Sequence, residues 1–192
     1  MKTIALITLL SLNSVKGYSI ESPSEELKSK SSLENRNSKN YRLSIGIGNH
    51  FGEMGNIFSA SRYLQKNDYT VDLDYFTSSK EGALALEKRR AAMLGFRFFL
   101  GNSFNIKLSA VYSDFQASNN KFGGFEVNEY GFIGSIGNQW HWQKLSLGFE
   151  WIGIAQSLNR KIKKAFREWD YSKYLIDDFY TSGPIATLGY SF

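Results

Sequence analysis

The chain has no cysteine, two histidines and two prolines among its 192 residues. The missing cysteine excludes a disulfide framework, a thiolate metal centre and a cysteine-linked lipid anchor. His50 and His141 are too few for a histidine-rich metal site, so no metal or cofactor is expected. Charge of one sign is also scarce. The 23 basic and 18 acidic residues give a net +5, and Lys2 and Lys16 fall in the expected signal peptide, which brings the rest closer to balance. That is not the clustered basic surface of a nucleic-acid binder. No run is long and apolar enough for a membrane-spanning helix, which takes about 20 residues.

Aromatic residues and glycine are plentiful: aromatics make up 16% of the chain, and there are 17 Gly. This pairing suits short strands joined by turns. Residues 1–17 read as a cleavable signal peptide. Lys2 supplies the positive start, Ile4 to Leu12 the apolar run, and Val15-Lys16-Gly17 a small-residue exit. Residues 18–40 are rich in Ser, Glu, Lys and Asn and bury too little surface to offset ordering entropy. They are expected to form a flexible leader, with a short surface helix near Glu25–Lys30 as the alternative.

From Tyr41 onward the hydropathy period is two. Tyr41, Leu43, Ile45 and Ile47 alternate with Arg42, Ser44, Gly46 and Gly48, and the same alternation recurs in 69–76, 104–113 and 145–152. Segments 91–100, 127–140 and 184–192 follow it less strictly. Segment 55–64 is needed as a further strand, although Phe58, Ala60 and Arg62 share one of its sides. Tight turns are expected near 51–54, 65–68, 101–103 and 141–143. Longer polar loops are expected at 79–89, 117–125 and 157–182. Eight strands joined by alternating short and long connections predict an all-β, eight-stranded antiparallel up-and-down transmembrane barrel over 41–192.

A soluble barrel with its apolar face inward is the competing arrangement. Against it, the polar face carries Arg42, Asp72, Asp74, Arg97, Lys107 and Glu150, three cations and three anions that would form a paired lumen network. Aromatics gather at the strand ends. Tyr41, Tyr69, Phe104, Trp140, Tyr190 and Phe192 would make one rim, and Tyr75, Tyr112, Tyr130 and Trp151 the other, as two interfacial girdles do.

The ending Leu188-x-Tyr190-x-Phe192, preceded by Ala186, resembles the C-terminal signature of bacterial outer-membrane barrels, most closely the small OmpA/OmpX-type barrels. The resemblance covers 41–192 as a pattern. It implies a monomer in the outer membrane of a Gram-negative-type bacterium, in contact with outer-membrane lipid. It also implies that Leu188, Tyr190 and Phe192 serve as the assembly signal read by the barrel-assembly machinery.

Within 157–182, Arg160, Lys161, Lys163, Lys164 and Arg167 are interleaved with Ile162, Phe166 and Trp169. A short amphipathic helix there would set its cations against lipopolysaccharide phosphates; an ordinary solvated loop is the alternative. A lipid A-modifying enzyme would need a histidine and a serine in reach of each other, with an acid beside them. His50 and Glu53 lie near the outer rim, with Ser59 or Ser61 on the next strand, but the deacylase-like motif of His followed two residues later by Ser is absent. His141 is expected in a turn as an interfacial residue. No catalytic residue is therefore assigned. A closed structural or interaction anchor displaying its outer loops is favoured over OmpW-like passage of small or apolar molecules, because eight strands leave room for little beyond their own side chains.

Overall fold

The structure, a computed structural model, describes residues 31–64, 68–81, 86–119, 123–165 and 179–192. A short helix, α1 (Ser32–Asn37), precedes nine strand segments. These are β1 (Tyr41–His50), β2 (Glu53–Leu64), β3 (Tyr69–Glu81), β4 (Leu86–Phe99), β5 (Phe104–Asn119), β6 (Gly123–Trp142), β7 (Leu145–Ala165), β8 (Phe179–Ser182) and β9 (Ile185–Ser191). Segments β1 to β7 pair antiparallel in chain order, β8 and β9 both pair with β7, and β9 closes on β1. β8 and β9 are two lengths of one wall strand, interrupted at Gly183-Pro184, where proline has no N–H to give the ladder. Across this break the Gly183 N–H donates to the Asn49 carbonyl (2.7 Å) and the Asn49 N–H to the Pro184 carbonyl (3.2 Å). The result is a closed, eight-stranded, antiparallel up-and-down barrel.

The barrel is inside-out relative to a soluble one. Leu43, Ile45, Leu73, Leu94, Leu108 and Leu188 each expose more than half of their surface, while Arg42, Asp72, Asp74, Arg97 and Lys107 are buried. An exterior of exposed leucine and isoleucine around a charged interior is stable when the surrounding solvent is lipid. The ambiguous segment falls into line in β2: Phe58, Ala60 and Arg62 face outward, and Ile57, Ser61 and Tyr63 face inward. One face assignment changes. Ile152, which the alternation sets beside Glu150 on the polar face, is exposed instead. The β6–β7 register passes from Gly137↔Glu150 to Ile136↔Ile152, so Trp151 is a bulge and the parity of β7 inverts beyond it.

The strands run past the expected boundaries. β5, β6 and β7 have 16, 20 and 21 residues, whereas about 9–11 tilted residues cross a bilayer. The loops expected at 79–89, 117–125 and 157–182 are therefore partly strand, and 157–165 is the end of β7 rather than an amphipathic helix. Hydropathy alternates only where one face meets lipid. The backbone ladder continues beyond that point with polar residues on both faces.

The leader is corrected as well. Residues 31–40, expected to be flexible, include α1, with Ser32, Asn35 and Arg36 buried. The other leader residues, the signal peptide and the alternative helix at 25–30 lie outside the described residues. A capping box starts α1: the Glu34 N–H donates to Ser31 Oγ (3.2 Å), and the Ser31 N–H to Glu34 Oε2 (2.8 Å). Arg36 donates to the carbonyls of Asn102 (2.9 Å) and Gly101 (3.2 Å) and stacks over the Phe99 ring at 3.9 Å. A polar helix looks solvated from sequence because polarity normally marks an exterior. Here the polar surface is the lumen, and α1 seats in its mouth.

Candidate functional site: the packed lumen

Inward side chains stack in layers from the α1 end. The first is a neutral polar layer of Tyr63, Gln139 and His141. His141 lies within β6 rather than in a turn, which falls at Gln143-Lys144. Its ring Nε2 is 2.8 Å from Gln139 Nε2 and 3.4 Å from the Tyr63 hydroxyl, and its backbone N–H donates to Ser32 Oγ (2.8 Å). This layer thus ties the barrel wall to α1.

The second layer holds the six charged residues singled out from sequence. Arg97 pairs with Asp72 (2.8 Å) and Glu150 (3.2 Å) and donates to Asn105 Oδ1 (3.1 Å). Lys107 bonds to Asp74 and lies 3.5 Å from Glu150, and Ser135 donates to the other Glu150 oxygen at 2.9 Å. Five of the six therefore form one connected group. Arg42 stands apart from the carboxylates and donates to Ser146 Oγ (2.8 Å) and Thr187 Oγ1 (2.9 Å). It lies across Gly189, where a Cβ would come within 2.7 Å of its Nε.

The third layer is apolar. Ile57, Phe76, Met93, Val111, Ile133 and Ile185 fill the cross-section above the ion pairs. Phe51 caps this layer from the Phe51-Gly52 turn, where both residues have the positive φ (57° and 76°) of a two-residue hairpin loop. A left-handed phenylalanine is uncommon. Its buried ring packs against Phe76 and Tyr180, with centroids 6.2 and 6.0 Å apart.

The fourth layer is a second ionic group, absent from the sequence-based expectations. Arg89 pairs with Glu53 and Glu129 (3.0 Å each), and Arg160 pairs with Glu129 (2.9 Å) and donates to the Tyr180 hydroxyl (2.6 Å). The signal for half of it is present in the sequence. Arg89 has the parity of Arg97, and Glu129 that of Ser135, so the alternation continues to them. Arg160 keeps the parity of Glu150, because the bulges at Trp151 and Leu158 cancel, but it falls in the stretch expected to be a loop rather than a strand.

The cations read as one lipid-facing set are divided. Arg160 turns into the lumen, Lys163 bonds to Glu126 (3.0 Å), and Lys161 is exposed. The Lys164 side chain and Arg167 lie outside the described residues. His50 pairs with Ser182 Oγ at 2.8 Å rather than with Ser59 or Ser61, and both partners are buried. Glu53 is engaged by Arg89 and Ser78 instead of by His50. Among the described residues no group of three or more His, Asp or Glu side chains is placed to hold a metal.

Both rims carry aromatics. Tyr41 and Phe192 lie 5.9 Å apart at the first, and Tyr112 and Tyr130 lie 5.0 Å apart at the second. Trp151 departs from the second rim. Its indole donates to Asn138 (2.8 Å), the ladder partner of Phe104 on the first. At the closure seam the Tyr41 N–H donates to the Phe192 carbonyl and the Phe192 N–H to the Tyr41 carbonyl, both at 2.9 Å. Leu188 and Tyr190 face outward on the same strand.

An apolar exterior, aromatic rims and a bore filled by alternating ionic and apolar layers define a small membrane β-barrel with a packed lumen. A solved structure shares the fold. A major outer membrane protein from Thermus thermophilus superposes with a TM-score of 0.60 at 9% identity, covering 81% of this chain and 100% of that one. Neisserial surface protein A is similar with a TM-score of 0.47 at 13% identity, covering 79% of this chain and 95% of that one. No family model matches the sequence, and no curated protein matches it.

Proposed function

We propose that the protein is an outer-membrane anchor with a closed bore, exported by its N-terminal signal peptide, whose role is to hold its outer strand ends and loops at the cell surface. The observation that carries this reading is the apolar layer around Phe76 and Met93, packed between two ion-paired layers. An ion crossing it would shed its hydration with no polar group to replace it. Refolded wild-type protein in a planar bilayer is expected to give no stable single-channel current. Large, long-lived currents would overturn the closed-anchor reading in favour of small-molecule passage.

Assembly belongs to the same proposal. Phe192 completes the seam between β9 and β1, and its strand resembles the assembly signal of bacterial outer-membrane barrels. Phe192→Asp costs only ~0–1 kcal/mol as a charge at a membrane interface. A several-fold drop in membrane-inserted barrel, with stability of the refolded protein little changed, is the expected result in cells. Unchanged outer-membrane levels would remove the recognition role of Leu188, Tyr190 and Phe192.

A further inference from the structure

The lipid-facing wall is not evenly covered. In the ladder row Tyr190–Leu43–Ala60–Leu73–Leu94, four large side chains flank one small one. Ala60 therefore floors a furrow walled by Leu43 and Leu73, with Phe58 beyond it on β2. This open groove of about 570 Å³ is lined almost wholly by apolar groups. A second hollow continues it toward the rim between Tyr41, Val71 and Phe192. Arg62 stands at that end, two residues from Ala60 on the same outward face, exposed and with no ion pair among the described residues.

We propose that this furrow binds an anionic glycerophospholipid, one acyl chain lying over Ala60 between Leu43 and Leu73 and the phosphate paired with Arg62. The inference rests on the reading of the chain as an outer-membrane barrel. Phe58 to Arg62 spans roughly 13 Å at about 3.3 Å per residue, which matches an upper acyl segment below its headgroup. A guanidinium suits a phosphate because its planar fork donates two parallel hydrogen bonds. Its position sets the leaflet. Arg62 pairs in register with Tyr41 and so lies on the rim of α1 and the closure seam, which faces the periplasm when both barrel ends do. A second copy of the chain fits less well, since two-fold pairing about the membrane normal through this wall would turn two Arg62 side chains toward each other on one rim.

The test uses full-length protein refolded in mixed phosphatidylglycerol and phosphatidylcholine nanodiscs, released and weighed with its retained lipids by native mass spectrometry. Wild type is expected to retain phosphatidylglycerol over phosphatidylcholine by about fivefold, the preference one basic residue gives at a charged surface. Arg62→Gln is expected to abolish the preference. Ala60→Phe, which fills the furrow from the lipid side, is expected to remove retention of both lipids. Arg90→Gln, on the outward face of β4 away from the furrow, is expected to behave as wild type. Equal preference in wild type and Arg62→Gln, undiminished retention in Ala60→Phe, or dimers in place of bound lipid would each overturn the site while leaving the barrel reading intact. Failure of wild type to insert, read by the gel shift of folded against heated protein, would overturn both.

Discussion

Arg97→Ala is expected to destabilise the folded barrel by about 3–5 kcal/mol, the range for removing one partner of a buried ion pair. Arg97 is 6% exposed, and its guanidinium engages Asp72, Glu150 and Asn105 together. Truncation leaves Asp72 without a cation and Glu150 with Lys107 alone, at 3.5 Å. The outward-facing neighbours on this strand, Phe96 and Phe98, stay in place, so the loss is electrostatic rather than one of lipid contact. Arg97→Met with Asp72→Asn in the same chain should recover a large part of the loss, because the uncompensated charge is then gone as well. Urea unfolding in lipid vesicles, followed by tryptophan fluorescence, measures both variants. A loss below about 1 kcal/mol for Arg97→Ala would mean that water reaches the network and screens it.

Legibility follows the lipid boundary. Where a strand has one face in lipid, the alternation reveals its existence and, outside β2, its facing, as in Arg42, Asp72, Arg97 and Lys107, all inward. Where that boundary ends, the signal ends too. Residues 157–165 have charged and apolar groups on both faces, and only their hydrogen bonds to β6 reveal a strand. Bulges are the second blind spot. A single extra residue at Trp151 inverts the side of every later residue in β7 up to the next bulge, and nothing in the local composition marks it. The third is α1. Its Ser31 to Glu34 spacing is a capping-box signature, but nothing local announces its burial, which depends on a polar lumen assembled from distant strands. The second ionic layer lies at the lipid boundary: Arg89 and Glu129 are within reach of the alternation, whereas Arg160 has the parity of Glu150 but stands where nothing local announces a strand.

The apolar layer gives the other large effect. Phe76 is fully buried, with its ring edge-on to His50 at a centroid distance of 5.3 Å. It occupies the space opened by Gly55, where a Cβ would come within 2.5 Å of the ring. A residue without a side chain faces the full aromatic ring here, so neighbouring groups have little means of closing the gap. Phe76→Ala is therefore expected to cost about 3–5 kcal/mol, the range for removing a core phenylalanine with incomplete relaxation. The cavity would be walled mainly by Ile57, Met93 and Ile185, with the edge of His50, whose Nδ1 is already engaged by Ser182, as a polar neighbour, so it should hold little water. The variant is accordingly expected to unfold at lower urea yet remain non-conducting in a planar bilayer. Two results would contradict the layer as described. A stability loss under about 1 kcal/mol would show that the ring is not packed against its neighbours. Conductance in Phe76→Ala at full stability would show that one ring, rather than a packed cross-section, separates the two ionic layers.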